Sequence, residues 1–125
     1  MDDFTKGYIQ TALWTEHGKK SEFLDADYGV DDIDADTLSK MEADCKKFQQ
    51  DHKTVLRQAY KQYQPTDEYT VEWCAGSDFW YTRNHHGVGF LDRKIGKVIA
   101  EVLSHGADSC GEYHLFDDDG IIVGE

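Results

Sequence analysis

From Leu38 onward one face of the chain recurs at steps of three and four residues: Leu38, Met41, Cys45, Phe48, His52, Val55, Ala59 and Tyr63. That spacing matches an α-helix of 3.6 residues per turn and no strand, so it predicts a long helix over 34–63. Asp34 stands where a side-chain oxygen caps the first amides, and Asp36 puts negative charge in the first turn, where the helix dipole favours it. Pro65 lacks the amide a helix needs and is expected to stop it. A seam this long must lie on something. It either crosses the chain's own sheet or pairs with a partner, and a homodimer through the 34–63 helix is the second case.

The remainder is read around that helix. A chain of 125 residues holds one core, so 1–125 is expected to be a single domain. Phe4, Tyr8, Ile9 and Ala12 form a helical stripe over 4–14, opened by Asp2 or Asp3 and closed by Gly18. Residues 15–33 look like an ordered loop. Tyr69, Val71 and Trp73 alternate with polar residues and predict a strand over 69–74. Residues 78–83 predict a second strand, turned at 84–87 and returning at 88–91 as a hairpin. Asp92 would cap a helix over 93–105, with Ile95, Val98, Ile99, Val102 and Leu103 as its stripe and Gly106 as its end. A last hairpin joins 112–116 to 121–123 through an Asp-rich turn ending in Gly120. The expected fold class is α+β: a small antiparallel sheet of two hairpins, packed by one long and two shorter helices.

Charge narrows the function. Twenty-five acidic residues oppose thirteen Lys plus Arg, a formal charge of −12. Nucleic acid and anionic membrane are polyanions, so direct binding to either is not expected over the whole surface. No apolar run is long enough to span a bilayer. Met1 to Gln10 lack the basic and apolar stretches of a signal peptide. The acids are also clustered. Residues 1–36 hold ten acids and three bases, and residues 101–125 hold seven acids and no Lys or Arg. Residues 37–63 reverse the balance, with six bases and three acids.

Metal and cofactor chemistry finds little support. Cys45, Cys74 and Cys110 are odd in number and widely spaced, which suits reduced thiols better than a disulfide framework. Zinc needs clustered thiols or imidazoles, and the sequence offers only Cys110 followed by His114 and the adjacent pair His85–His86. Aspartates at 32, 34 and 36 begin a calcium-loop pattern, but Thr37 stands where the glycine belongs and Ala43 where the glutamate belongs. No glycine-rich phosphate loop and no nucleophile elbow is present. Neither a metal nor a cofactor is expected, and nothing in the spacing identifies an enzyme.

The densest polar segment is 78–93. In one reading Arg83, His85, His86 and Arg93 bind an anion, Asp78 or Asp92 orients them, and Trp80 or Tyr81 stacks on a base. That makes a nucleotide-binding protein or a minor enzyme. In the other reading the same residues are turn, core and internal ion pairs. The run Asp78-Phe79-Trp80, Thr82-Arg83-Asn84, His86-Gly87, Gly89-Phe90 and Asp92-Arg93 resembles a family of small, mostly uncharacterised proteins of tailed bacteriophages and prophages. Phe4-Thr5, Gly7-Tyr8, Ala12-Leu13-Trp14, Asp25-Ala26, Tyr28 to Ile33, Thr37-Leu38 and Asp44-Cys45 extend the resemblance over most of 4–106. It implies a phage origin and a place in the bacterial host's cytoplasm. It implies no activity and carries over no functional residue.

Charge and resemblance together favour an acidic accessory protein that works by protein–protein binding. Its partner would be a host or defence-system protein, inhibited by mimicry of nucleic acid. The residues expected to meet that partner are Asp25, Asp27, Asp31, Asp32, Asp34 and Asp36 in one stretch, and Asp117, Asp118 and Asp119 in the other.

Overall fold

Asp2 accepts the Thr5 amide at 2.8 Å and opens α1, Asp3–Thr15. Asp34 likewise accepts the Thr37 amide at 3.2 Å and opens α2, Ala35–Asp51. Beyond these come α3 (Lys53–Tyr60), α4 (Val71–Arg83) and α5 (Lys97–Ser109), then a hairpin of β1 (Leu115–Asp118) and β2 (Ile121–Gly124). The computed structural model describes residues 1–19, 22–64 and 66–125. Among them five α-helices carry most of the chain, with one two-stranded antiparallel sheet, so the α+β class holds in a mainly helical form.

The apolar seam is turned inward. Of its residues, Met41, Cys45, Phe48, Ala59 and Tyr63 are buried in the chain's own core, and Leu38, His52 and Val55 are half-buried. The seam is therefore largely filled within one chain. It is also broken: the expected helix 34–63 is two helices meeting at His52, whose backbone leaves helical geometry (φ −119°, ψ 24°). The His52 ring sits against Gly106 of α5, where any Cβ would overlap it, and its Nδ1 lies 3.0 Å from the Phe48 carbonyl. The break thus fits α5 into the bend. The expected stop at Pro65 lies outside the described residues, and α3 already ends at Tyr60.

The strands expected over 69–74 and 78–83 are instead one helix, α4. The hairpin over 78–91 does not form, and the sheet has one hairpin rather than two. Thr70 caps α4 by accepting the Trp73 amide at 3.2 Å, a contact worth about 1 kcal/mol. Residues 84–87, expected as a hairpin turn, are the exit from α4, with His85 in left-handed geometry (φ 57°). α5 begins after Gly96 and not at Asp92, and Gly106 lies inside it.

The core is helix on helix. α1 and α4 cross so closely that a Cβ on Gly7 would overlap the Trp73 carbonyl, and one on Gly76 the Phe4 carbonyl. The buried Thr11 hydroxyl donates to Ser77 at 2.7 Å across this crossing. Phe48 stacks on Phe79 with ring centroids 4.2 Å apart, and Phe4, Tyr8 and Phe90 surround that pair. No helix among the described residues is long and apolar enough to cross a membrane.

Candidate functional site

The two acidic stretches meet. The Tyr28 hydroxyl donates to Asp117 Oδ2 at 2.9 Å, across 89 residues of sequence. Ile33 forms a parallel bridge with Ile122 of β2, and the Asp34 amide donates to the Ile122 carbonyl at 2.8 Å. The Gly124 amide donates to the Thr37 hydroxyl at 3.0 Å. The 30–37 segment is thereby fastened along the hairpin.

The electrostatics of the two stretches follow from the same proximity. The Gly120 amide and then the Tyr28 hydroxyl hold the Asp117 carboxyl below its usual range. Tyr28 is pushed up, first by its bond to Asp117, with Asp27 and Asp32 adding to the field. Lys19 pairs with Asp119 at 2.9 Å and is pushed up chiefly by it, with smaller effects from Asp117 and Asp118. Among the described residues, no other Lys or Arg is paired with any of the nine aspartates.

The nine do not have one job. Asp34 caps α2, Asp32 accepts the Gly29 amide at 2.9 Å, and Asp117 holds Tyr28 and the turn amide of Gly120. Asp25, Asp27, Asp31, Asp36 and Asp118 are exposed, and among the described residues their carboxylates accept no hydrogen bond. Apolar side chains stand among them. Phe116 and Ile121 are 46 % and 54 % exposed and share the outer face of the hairpin with Asp118. Phe23, Asp27 and Asp117 line one hollow.

The segment 78–93 turns its polar groups on each other. Asp78, 1 % exposed, receives Arg93 through Nε and Nη2 at 2.8–3.0 Å, so the first and last residues of the block close it. The Tyr63 hydroxyl adds a third donor at 2.8 Å. Burial pushes the Asp78 carboxyl up, and Arg93 pulls it back. Arg83 is 2 % exposed. It donates to the Tyr8 hydroxyl, to Asp44 and to the carbonyls of Cys110 and Gly111 at 2.8–3.2 Å. Asn84 receives the Tyr113 amide at 2.9 Å, and Gly89 presses so closely on the Thr82 hydroxyl that a Cβ would overlap it. His85 and His86 are exposed at the end of α4; His85 lies 3.9 Å from Asp108. Arg83 and Arg93 therefore serve different carboxylates, and the four residues do not converge on one anion site. Trp80 is fully buried, with its indole N–H on Thr15 at 2.7 Å, and offers no stacking face.

One feature escaped the sequence reading. A cavity of about 340 Å³ opens beside the Asp78–Arg93 pair, lined by Tyr63, Trp73, Cys74, Arg93, Lys94 and Ile95. Its members come from three separate stretches, and only Arg93 and Asp92 had a functional expectation attached. Among the described residues, no three His, Cys, Asp or Glu side chains gather in a way that could hold a metal ion. Comparison with protein-family models, curated proteins and solved structures finds no match to this chain.

Proposed function

We propose that this protein acts by binding another protein, and that its acidic face occupies the cationic nucleic-acid groove of a host or defence-system enzyme. The observation that carries the reading is the fastening of the two acidic stretches at Tyr28–Asp117 and Ile33–Ile122, which joins aspartates distant in sequence into one field. A rigid row of carboxylates acts on Lys and Arg as phosphates do: it steers encounter and displaces condensed counterions. The exposed Phe116 and Ile121 supply apolar area at the centre of such a contact, where charge alone gives rate more than affinity. The resemblance to phage proteins supports a partner in the bacterial cytoplasm.

The test uses the full chain, immobilised, with host proteins passed over it and the retained partner identified. A variant carrying Asp25→Asn, Asp27→Asn, Asp31→Asn, Asp36→Asn and Asp118→Asn keeps every cap and cross-segment bond. Expected is a nucleic-acid-binding partner that elutes as salt rises, is displaced by duplex DNA, and is not held by the variant. A partner that duplex DNA fails to displace, or that the variant holds equally, overturns the proposal.

A further inference from the structure

We propose that the cavity beside Arg93 is a binding site for a small planar anion, an aromatic ring bearing one carboxylate or phosphate. Its volume of about 340 Å³ falls within the roughly 300–1,000 Å³ of small-molecule sites. Tyr63, Trp73 and Ile95 give it apolar walls, which suits a ring. The polar element is Arg93. Its Nε and Nη2 are locked on the buried Asp78 carboxylate, which Tyr63 fixes from the other side. Among the described residues Nη1 donates to nothing, and the Arg93 side chain is 42 % exposed. A guanidinium clamped on one edge and open on the other is already ordered, so a ligand anion need not immobilise it. Lys94 adds a second cation at the rim, and Asp92 opposes it there. The site is independent of the acidic face and of the partner proposed for it.

Titration of the uniformly ¹⁵N-labelled full chain with four probes decides the matter: indole-3-acetate, phenyl phosphate, indole and acetate. Expected is a saturable shift of the Trp73 indole N–H and the Arg93 Nε–H with indole-3-acetate or phenyl phosphate. Indole and acetate, each carrying half of the recognised features, bind at least about tenfold more weakly. Asp92→Asn tightens binding by removing the opposed charge, and Lys94→Gln weakens it. Cys74→Phe fills the cavity and abolishes the shifts. The two rim variants lie on the exposed surface and carry the test if Cys74→Phe fails to fold. The proposal is overturned if neither aromatic anion gives a saturable shift at Trp73 and Arg93. Indole alone binding equally well, or binding indifferent to both rim substitutions, has the same consequence.

Discussion

Arg83 supports much of the interior polarity with one side chain. It satisfies the Tyr8 hydroxyl, the Asp44 carboxylate and two carbonyls just beyond α5, so it ties α4 to α1, α2 and the approach to the hairpin. Arg83→Met removes all four contacts and takes the donor from the buried Tyr8 hydroxyl, while Asp44 keeps Lys40. Losing the charged donor to a buried hydroxyl costs about 1.5–3 kcal/mol, and urea unfolding reads the loss. Asp44→Asn costs less, because that carboxylate is part exposed and also holds Lys40 at 2.6 Å. The sequence displayed Arg83 as an anion ligand because a sequence carries residue type but not depth. His114 gives a second prediction. It lies 2.9 Å from Glu16 and 3.1 Å from Glu112, and Glu16 is the main cause that lifts it above its ordinary 6.5. A raised value in the folded state means stabilisation that is complete below 6.5 and lost as pH rises through the folded value. Thermal unfolding followed across this range is expected to show that decline, and His114→Gln to remove it. Asp117 works in the opposite sense: its lowered carboxyl stabilises above its ordinary 3.8, and that support is lost as pH falls through the folded value.

The α1–α4 crossing makes glycine obligatory at the level of elements. Gly76→Ala places a methyl against the Phe4 carbonyl, which is helix backbone and cannot swing aside. The helices must separate, and a loss of about 1–3 kcal/mol or more is expected by thermal or chemical unfolding. The same crossing explains which elements the sequence disclosed. α2 buries one stripe and leaves most of the rest exposed, so its period was visible, and α1, though covered on most sides, still spaces Phe4, Tyr8 and Ala12 four apart. α4 runs through the middle, and Ala75, Gly76, Ser77, Asp78, Phe79 and Trp80 are buried in succession. A helix covered on nearly every side loses its 3.6-residue contrast. What remains to be read is residue type, and Tyr69, Val71, Trp73, Phe79, Trp80 and Tyr81 favour strands. The available signal was Thr70 as a cap with Glu72 in the first turn behind it. The break at His52 had no such signal, because it depends on Gly106, which lies far along the chain.

Over the whole molecule the charge runs were plain in the sequence, but their meeting was not. Adjacency of 25–36 and 117–119 follows from bonds such as Tyr28–Asp117, which no local pattern announces. Gathering those carboxylates has a cost, since like charges held together repel in the folded state more than in the open chain. That repulsion is screened by salt: the Debye length falls from about 30 Å at 0.01 M to about 10 Å at 0.1 M. The melting temperature is therefore expected to rise with sodium chloride over this range. The five-fold Asp→Asn variant described above keeps Asp32, Asp34 and Asp117, and with them the fastening of the two stretches. It should melt higher than the parent at low salt and respond less to added salt. Acids spread evenly over the outside would also repel at low salt, so the clustering is read from a larger gain with these five substitutions than with five Asp or Glu replacements elsewhere on the surface. Gain of stability on neutralisation, paired with loss of partner binding by the same five substitutions, is the signature of a surface kept acidic for contact with a cation-rich partner and not for the fold.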